Sequence, residues 1–205
     1  MKEHPILFST PMVQALLDGR KTMTRRIVKH ISHISSEIST FDLQKLFDEF
    51  PDYVLSLCPY SQPVDLLWVR ETAQILGFDS EGNHVENGLW IYKADGEKAQ
   101  KHLNLTENAR WKPSIHMPKV AARIWLKITN IKVERVRDIS EVDAKKEGVD
   151  ISAHKGLDYA YGRENQYAFR DLWIEIHGSS SWEANPWVWA IEFEILSTTG
   201  KPSAL

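Results

Sequence analysis

The sequence predicts an α+β fold, a small mixed sheet or barrel with peripheral helices and inserted segments. Three observations lead to this class: several segments alternate apolar and polar residues, the helices between them are few, and no βαβ rhythm is present. The chain has 205 residues, 42% of them hydrophobic, which is enough to build a sizeable core. We therefore expect one domain over residues 1–205, with insertions at about 29–57 and 77–110.

The first predicted element is a short helix that begins at Ser9-Thr10-Pro11. Thr10 can accept hydrogen bonds from the free amides, and Pro11 suits the first helical position because its missing N–H costs nothing there. Gly19 ends the helix, since a left-handed closing residue is least costly as glycine. The next run, Arg20 to Val28, combines β-branched and basic residues and predicts a loop that enters a strand.

The middle of the chain holds both expected insertions. Residues 29–57 contain serines, two histidines and an amphipathic stretch from Phe41, which predicts a partly helical excursion. A strand is expected at about Leu66 to Thr72. Residues 77–110 carry Gly, Asn, Asp and Glu around one short strand, Leu89 to Tyr92, and are otherwise expected to form a loop.

The clearest strand pattern runs from Val120 to Val136, with a break in phase at Asn130. One face of this strand is apolar, and the other is basic and carries Trp125 between Arg123 and Lys127. Ser140 then caps a short helix that ends at Gly148. The last elements are a helix from about Glu164 to His177 and a strand from Trp187 to Leu196.

Composition indicates the cellular compartment in which we expect the protein. Cys58 is the single cysteine, which excludes an internal disulfide framework and fits a reducing compartment. No apolar run approaches the roughly 18 residues of a membrane span, and the N-terminus lacks the apolar stretch of a signal peptide. We expect a cytoplasmic protein without a membrane partner.

The charge is unevenly distributed, although its formal total is only −3. Residues 1–30 hold six basic and two acidic side chains, and residues 110–137 hold eight basic and one acidic. If the two segments are neighbours in the fold, they present a positive face to RNA or nucleotides, on which Arg20, Arg25, Arg123, Trp125 and Lys127 are the candidate contacts. The simpler interpretation, which charge counting by itself favours, is that these lysines and arginines are ordinary solvated side chains scattered over the surface.

Lys21 and Thr24 form the first candidate catalytic pair. A lysine that is desolvated or crowded by cations loses basicity and can take the proton of a threonine hydroxyl, and Arg25 and Arg26 are close in sequence. In a regular strand the two side chains would lie on opposite faces, so the pairing requires a bend after Gly19. The simpler interpretation, favoured by local sequence, is a basic loop that contacts phosphate without chemistry.

Glu147 is the third candidate. It lies in the last turn of a helix, where the dipole disfavours a carboxylate, so the acid could donate a proton. Local sequence favours a solvated side chain, because Lys145 and Lys146 are adjacent.

Other segments offer weaker signals. Arg70-Glu71 ends a strand and is typical of a structural ion pair. The run from Trp111 to Pro118 combines Trp111, Lys112 and His116 with Pro113 and Pro118, as in a base pocket or a rigid packed loop. His30 and His33 have no second ligand pair, and no nucleotide or nucleophile motif is present. We predict neither a metal nor a cofactor.

Together these segments resemble the ASCH domain family, and most of all its long members in bacteria and phages. The resemblance covers nearly the whole chain and rests on Pro5–Ser9, Gly19–Arg26, Leu67–Thr72, Trp111–Pro118, Asp138–Glu141 with Glu147-Gly148, and Asn185–Trp189. It implies a β-barrel similar to the PUA domain, an RNA-binding module. At Val64 the family usually has glycine.

The resemblance also implies functions. Many ASCH proteins are inferred to bind RNA or nucleotides, some are described as ribonucleases, and a small subgroup hydrolyses N4-acetylcytidine with a lysine, a threonine and a glutamate. These fall on Lys21 as general base, Thr24 as nucleophile and Glu147 as proton donor. Arg26, Arg70, Glu71, Trp111, Lys112 and His116 would then contact substrate. The alternatives are a non-catalytic RNA or nucleotide binder and a phage accessory protein.

Overall fold

A computed structural model gives the fold, and it describes residues 1–28, 43–60, 62–78, 84–105, 109–157 and 160–203. Its strands are β1 (Glu3–Leu7), β2 (Met23–Ile27), β3 (Leu66–Arg70), β4 (Ala73–Phe78), β5 (His84–Tyr92), β6 (Trp125–Arg135) and β7 (Trp187–Ser197). Its α-helices are α1 (Thr10–Leu17), α2 (Leu43–Glu49), α3 (Pro51–Ser56), α4 (Glu97–Asn104), α5 (Glu141–Lys146), α6 (Glu164–His177) and α7 (Ser179–Glu183).

The main sheet has five strands in the order β1-β3-β6-β7-β2. Strands β1 and β3 are parallel, and the other neighbours are antiparallel. The predicted α+β class is confirmed, but the sheet is not closed into the expected barrel, because the described edge strands β1 and β2 do not pair with each other. A side chain links the two edges instead: Arg26 Nη2 donates to the Leu7 carbonyl at 2.6 Å.

Strand β3 of the main sheet is buried on both faces. On β3, Leu67 and Val69 belong to the core that includes α1 and α3, whereas Leu66 and Trp68 pack on the other side with Trp125. Apolar residues on both faces of a strand are typical of a fully covered sheet. The prediction that β6 has a basic, solvent-facing side is therefore wrong at Trp125, which is 1% exposed.

Most predicted elements are confirmed. The strand expected over Arg20 to Val28 is β2, α6 has the predicted bounds, and β6 shifts register between Ile128 and Asn130 where the phase break was expected. Helix α1 begins one residue earlier than expected: its N-cap is Ser9, and the Ser9 carbonyl, rather than the Thr10 hydroxyl, accepts the first helical hydrogen bond at 2.9 Å.

The insertions are more structured than the sequence predicts. The first contains α2 and α3, and its residues 29–42, with His30 and His33, lie outside the described residues. The second, expected to be mostly loop, contains most of the β4–β5 hairpin and α4. The short-strand prediction was wrong because the pairing of β4 with β5 stabilises strand structure that local composition disfavours. No helix in the described part of the chain could span a membrane.

Two glycines shape the junction of α1, β2 and α5. Gly19 (φ +70°) ends α1, and Gly148 (φ +74°) follows α5. A Cβ on Gly148 would lie 2.9 Å from the Cβ atoms of both Ala15 and Lys21, so the close approach of these segments requires glycine. Val64 also has a left-handed φ, +72°, at the position where glycine is usual in the ASCH family.

We expect Gly148→Ala to destabilise the protein more than Gly162→Ala does. Both glycines have φ near +70°, so both variants lose about 1 kcal/mol to backbone strain, but only Gly148 lacks space for a methyl group. The overpacking adds about 1–3 kcal/mol. Urea unfolding measures the difference, and equal losses in the two variants would contradict this close approach.

Candidate functional site

A cavity of about 210 Å³ lies between the start of the chain, the end of α5 and one face of α6. Lys21, Thr24 and Glu147 all line it. The chain separates Lys21 from Glu147 by 126 residues, so only the tertiary fold brings them together. The remaining lining residues are Leu7, Phe8, Ser9, Met12, Arg25, Arg26, Phe169, Leu172, Trp173, Ile176 and His177.

Lys21 is held in the wall of this cavity by Glu147. The Lys21 side chain is 1% exposed, and its Nζ donates to Glu147 Oε2 at 2.8 Å and to the Glu147 backbone carbonyl at 2.9 Å. An ammonium has three donors, so one remains for the cavity after these two bonds. The Thr22 amide donates to the Lys146 carbonyl at 2.8 Å, which fixes the Lys21 backbone beside the end of α5.

The environment of Lys21 favours its neutral form. Burial lowers the pKa of Lys21 below its ordinary 10.5, because the ammonium loses its hydration. The Glu147 carboxylate opposes this shift in the pKa, and the positive charges of Arg26 and Arg25 reinforce it. A buried amine with a lowered pKa can accept a proton nearer to neutral pH than a solvated lysine can.

Thr24 reaches the same cavity because the chain bends before β2. Lys21 precedes the strand and follows the left-handed Gly19, so it is not subject to the alternation of β2. Thr24 lies within the strand, opposite Ile191 of β7, and is 4% exposed. The bend that the sequence requires for the pairing is therefore present.

Arg25 forms the second half of the charge network around Glu147. Its Nη1 donates to Glu147 Oε1 at 3.0 Å, and its Nε donates to Glu134 Oε1 at 2.7 Å. Arg25 is 5% exposed, and the Phe169 ring lies 5.6 Å from its guanidinium carbon. The structure thus places this candidate nucleic-acid contact inside the protein, where it binds carboxylates.

Aromatic and cationic groups border the catalytic candidates. The Phe8 ring centroid lies 5.5 Å from Lys21 Nζ and 5.1 Å from the guanidinium carbon of Arg26. On α6, the rings of Trp173 and His177 are 4.4 Å apart. Burial lowers the pKa of His177, and the charge of Arg26 lowers it further.

Sequence reasoning assigned Arg26 to the site, and Arg26 lines the cavity. It did not identify the other side of the cavity: Phe8, Trp173 and His177. Trp173 is buried, and it also lines the candidate site. The helical spacing of Phe169, Leu172, Trp173 and Ile176 is visible in the sequence, but nothing local indicates which segment this stripe covers.

Arg70 and Glu71 do not line this cavity. Arg70 donates from Nε to the Met117 carbonyl at 3.1 Å and from Nη2 to the Ile115 carbonyl. Glu71 is 1% exposed and accepts two bonds from Arg123, at 2.9 and 3.0 Å. The Arg70-Glu71 pair expected from sequence is replaced by a Glu71–Arg123 pair, because Arg70 reaches backbone carbonyls instead.

The proline-bounded loop lines a different cavity, of about 240 Å³, which contains Lys112 and His116 but not Trp111. The aromatic side chain in that cavity is Trp90. Trp111 packs against the cluster of Leu76, Ile91 and Leu103 and donates from Nε1 to Gln100 at 2.9 Å. Trp111 does not line this cavity, and a substrate contact by Trp111 stays a prediction.

The remaining nucleic-acid candidates are engaged within the protein. Arg20 donates to the Gly148 carbonyl at 2.9 Å and to Asp18, Arg123 also pairs with Asp95 at 2.7 Å, and Lys127 pairs with Glu194 at 3.1 Å. RNA binding by these side chains stays a prediction. Among the described residues, no group of three or more His, Cys, Asp or Glu side chains could hold a metal ion.

The described parts of the two insertions do not line the candidate cavity. Val54 of α3 packs in the main core, with Leu46 and Phe47 of α2 against it, and the β4–β5 hairpin forms a separate sheet. The described part of the first insertion therefore adds residues to the main core, and that of the second contributes to a separate two-stranded sheet.

We expect Glu147→Gln to lower the free energy of unfolding by about 3 kcal/mol, because it leaves Lys21 and Arg25 without their buried counter-charge. The control is Glu194→Gln, which breaks the half-exposed pair with Lys127 and is expected to change stability by less than about 1 kcal/mol. Denaturant unfolding compares the two, and similar small losses would show that the buried pair does not stabilise the fold.

Comparison with known proteins gives distant structural similarity. No family model matches the sequence, and no curated protein matches it. A solved protein from Enterococcus faecalis V583, assigned to family DUF984, shows 11% identity and a TM-score of 0.38, over 100% of this chain and 86% of that one. An ASCH domain from Lactobacillus crispatus JV V101 shows 12% identity and a TM-score of 0.36, over 96% of this chain and 80% of that one. Similarities this distant carry no conclusion about activity, and the α+β fold rests on the strand order described above.

Proposed function

We propose that this protein hydrolyses an amide bond in a small N-acylated base or nucleoside, with N4-acetylcytidine as the reference compound. One observation carries the proposal: Lys21, Thr24 and Glu147 line a single cavity, with Lys21 buried against the Glu147 carboxylate. The cavity of about 210 Å³ is smaller than the roughly 300–1,000 Å³ clefts that hold drug-sized ligands, which favours a small substrate.

The first step forms an acyl-enzyme. In the proposed reactive form the proton of the Lys21–Glu147 hydrogen bond lies on Glu147, so that the pair supplies a neutral amine and a carboxylic acid. Lys21 takes the Thr24 hydroxyl proton while Thr24 Oγ bonds to the acyl carbon. Glu147 gives its proton to the leaving nitrogen as the C–N bond breaks, which releases the free exocyclic amine.

The second step hydrolyses the Thr24 ester. Water bonds to the acyl carbon and passes one proton to the Glu147 carboxylate. The Lys21 ammonium returns its proton to Thr24 Oγ as the ester C–O bond breaks, so the free acid leaves and the starting protonation is restored. Arg26, which also lines the cavity, offers positive charge for the oxyanion of each tetrahedral intermediate.

We expect Thr24→Val to lower kcat/KM for N4-acetylcytidine by about a hundredfold or more, because it removes the nucleophile and keeps the side-chain volume. Thr24→Ser retains a hydroxyl and is expected to keep part of the activity. The readout is cytidine and acetate released by the purified protein, separated chromatographically.

Thr22→Val is the matched control, since Thr22 precedes the same strand without lining the cavity, and it should leave kcat/KM unchanged. If the wild type and Lys21→Ala are equally inert, the protein does not hydrolyse this substrate. If Thr24→Val retains wild-type activity, Thr24 is not the nucleophile.

The activity should fall at high pH as the Lys21–Glu147 pair loses its shared proton. The proposed first step needs one proton on this pair, and that proton is lost as pH rises through the pKa of Lys21. Burial lowers this pKa, so the descending limb of kcat/KM should have its midpoint below 10.5, the ordinary lysine value. Steady-state rates across a pH series measure the midpoint, which Thr24→Ser should leave in place; a midpoint at or above 10.5 would contradict the role of the pair.

A further inference from the structure

A second concave site, which we call the arginine cleft, lies beside the first turns of α6. Arg137, Arg163 and Arg170 line it together with Gln166, Tyr167 and Trp182, around a volume of about 90 Å³. Positions 163, 166, 167 and 170 recur at helical spacing and form one face of α6, whereas 169, 172, 173 and 176 form the face toward the Lys21 cavity. The two sites share no lining residue.

The three arginines of the cleft are not held in ion pairs within the described residues. None of them forms a salt bridge there, in contrast to Arg25 and Arg123, each of which binds carboxylates. The positive charge of Arg163 also interacts with Glu141. Side chains of like charge in one small cleft repel each other, which disfavours the arrangement in the absence of an anion. An anion in the cleft would interact favourably with all three guanidinium groups.

The walls of the cleft are fixed by hydrogen bonds. Gln166 accepts from Arg163 Nε at 2.8 Å and donates to the Ile139 carbonyl at 2.6 Å, while the Arg137 amide donates to Asn185 Oδ1 at 3.0 Å. The Arg163 side chain and the Arg137 backbone are thereby positioned, and both residues are exposed.

The neighbouring acid is engaged elsewhere. The carboxylate of Glu141, on α5, accepts from the backbone amides of Asn165 and Gln166 at 2.9 and 3.0 Å, and from the Asn165 side chain at 2.6 Å. These bonds satisfy the first amides of α6. Glu141 therefore stabilises the start of the helix and forms no salt bridge with Arg163 within the described residues.

We propose that the arginine cleft binds a phosphate group. Guanidinium groups match phosphate oxygens with paired, charge-assisted hydrogen bonds, and three of them around one small volume suit a tetrahedral dianion better than a planar carboxylate. The volume is less than half that of the Lys21 cavity, so the cleft accommodates the phosphate and the rest of a larger ligand lies over its exposed rim. The phosphate belongs either to a free small anion or to a nucleotide chain, and the proposal is independent of the amide hydrolysis above.

The test uses two probes with the full chain: pyrophosphate, measured by titration calorimetry, and a short fluorescein-labelled single-stranded oligoribonucleotide, measured by anisotropy. The double variant Arg163→Gln, Arg170→Gln should bind the probe about tenfold or more weakly than the wild type does. The reason is that each lost charged hydrogen bond contributes substantially to the binding free energy. Arg170→Lys, which keeps the charge but loses the planar fork, should show a smaller loss.

The matched control is Lys101→Gln with Arg110→Gln, which removes two exposed positive charges outside the cleft and should change affinity less than twofold. If pyrophosphate binds and the oligonucleotide does not, the ligand is a free anion. If the oligonucleotide binds and pyrophosphate displaces it, the ligand is a nucleotide chain. The proposal is overturned if neither probe binds, if the control loses as much affinity as the cleft variant, or if acetate competes as well as pyrophosphate. Thermal unfolding verifies that every variant is folded.

Discussion

The buried carboxylate of Glu147 is the interaction on which the site and its surroundings depend. One oxygen accepts from Lys21 and the other from Arg25, and both cations are almost completely excluded from water. Removing such charges from water is costly, and only close pairing with good geometry offsets the loss of hydration. Through this carboxylate the turn after α1, strand β2 and the end of α5 are held in one arrangement, and Arg25 extends it to Glu134 of β6.

The same pairing underlies the proposed chemistry. A lysine in water is protonated at neutral pH and is a poor base, whereas burial lowers the pKa of Lys21. The cost of burying the Lys21 charge therefore favours transfer of its proton in the proposed reaction. Structural stabilisation and the proposed catalysis share Lys21 and Glu147, so a substitution at either residue is expected to affect both.

Helix α6 lines both proposed sites. Its apolar stripe closes the Lys21 cavity with Phe169 and Trp173, which limits water beside the proposed reaction and strengthens the electrostatic interactions within it. Its other face carries two of the three arginines in the arginine cleft. One helix therefore supplies an apolar wall to one site and positive charge to another, and Glu141 on α5 anchors the start of that helix.

Local sequence determined the class of the fold, most strands, the bounds of α6, the cap at Ser140 and the bend that lets Lys21 and Thr24 share a cavity. These features depend on periodicity, caps and glycines, which act over a few residues. Tertiary structure decided which residues are neighbours: the burial of Arg25 and Trp125, the pairing of Glu71 with Arg123 rather than Arg70, the packing of Trp111 against the cluster of Leu76, Ile91 and Leu103, and the open sheet. The sequence could nominate Glu147, but its link to Lys21 spans 126 residues and is formed only by packing α5 against the turn before β2. The arginine cleft is formed by residues from three segments, and no local sequence pattern indicates that these segments lie close together.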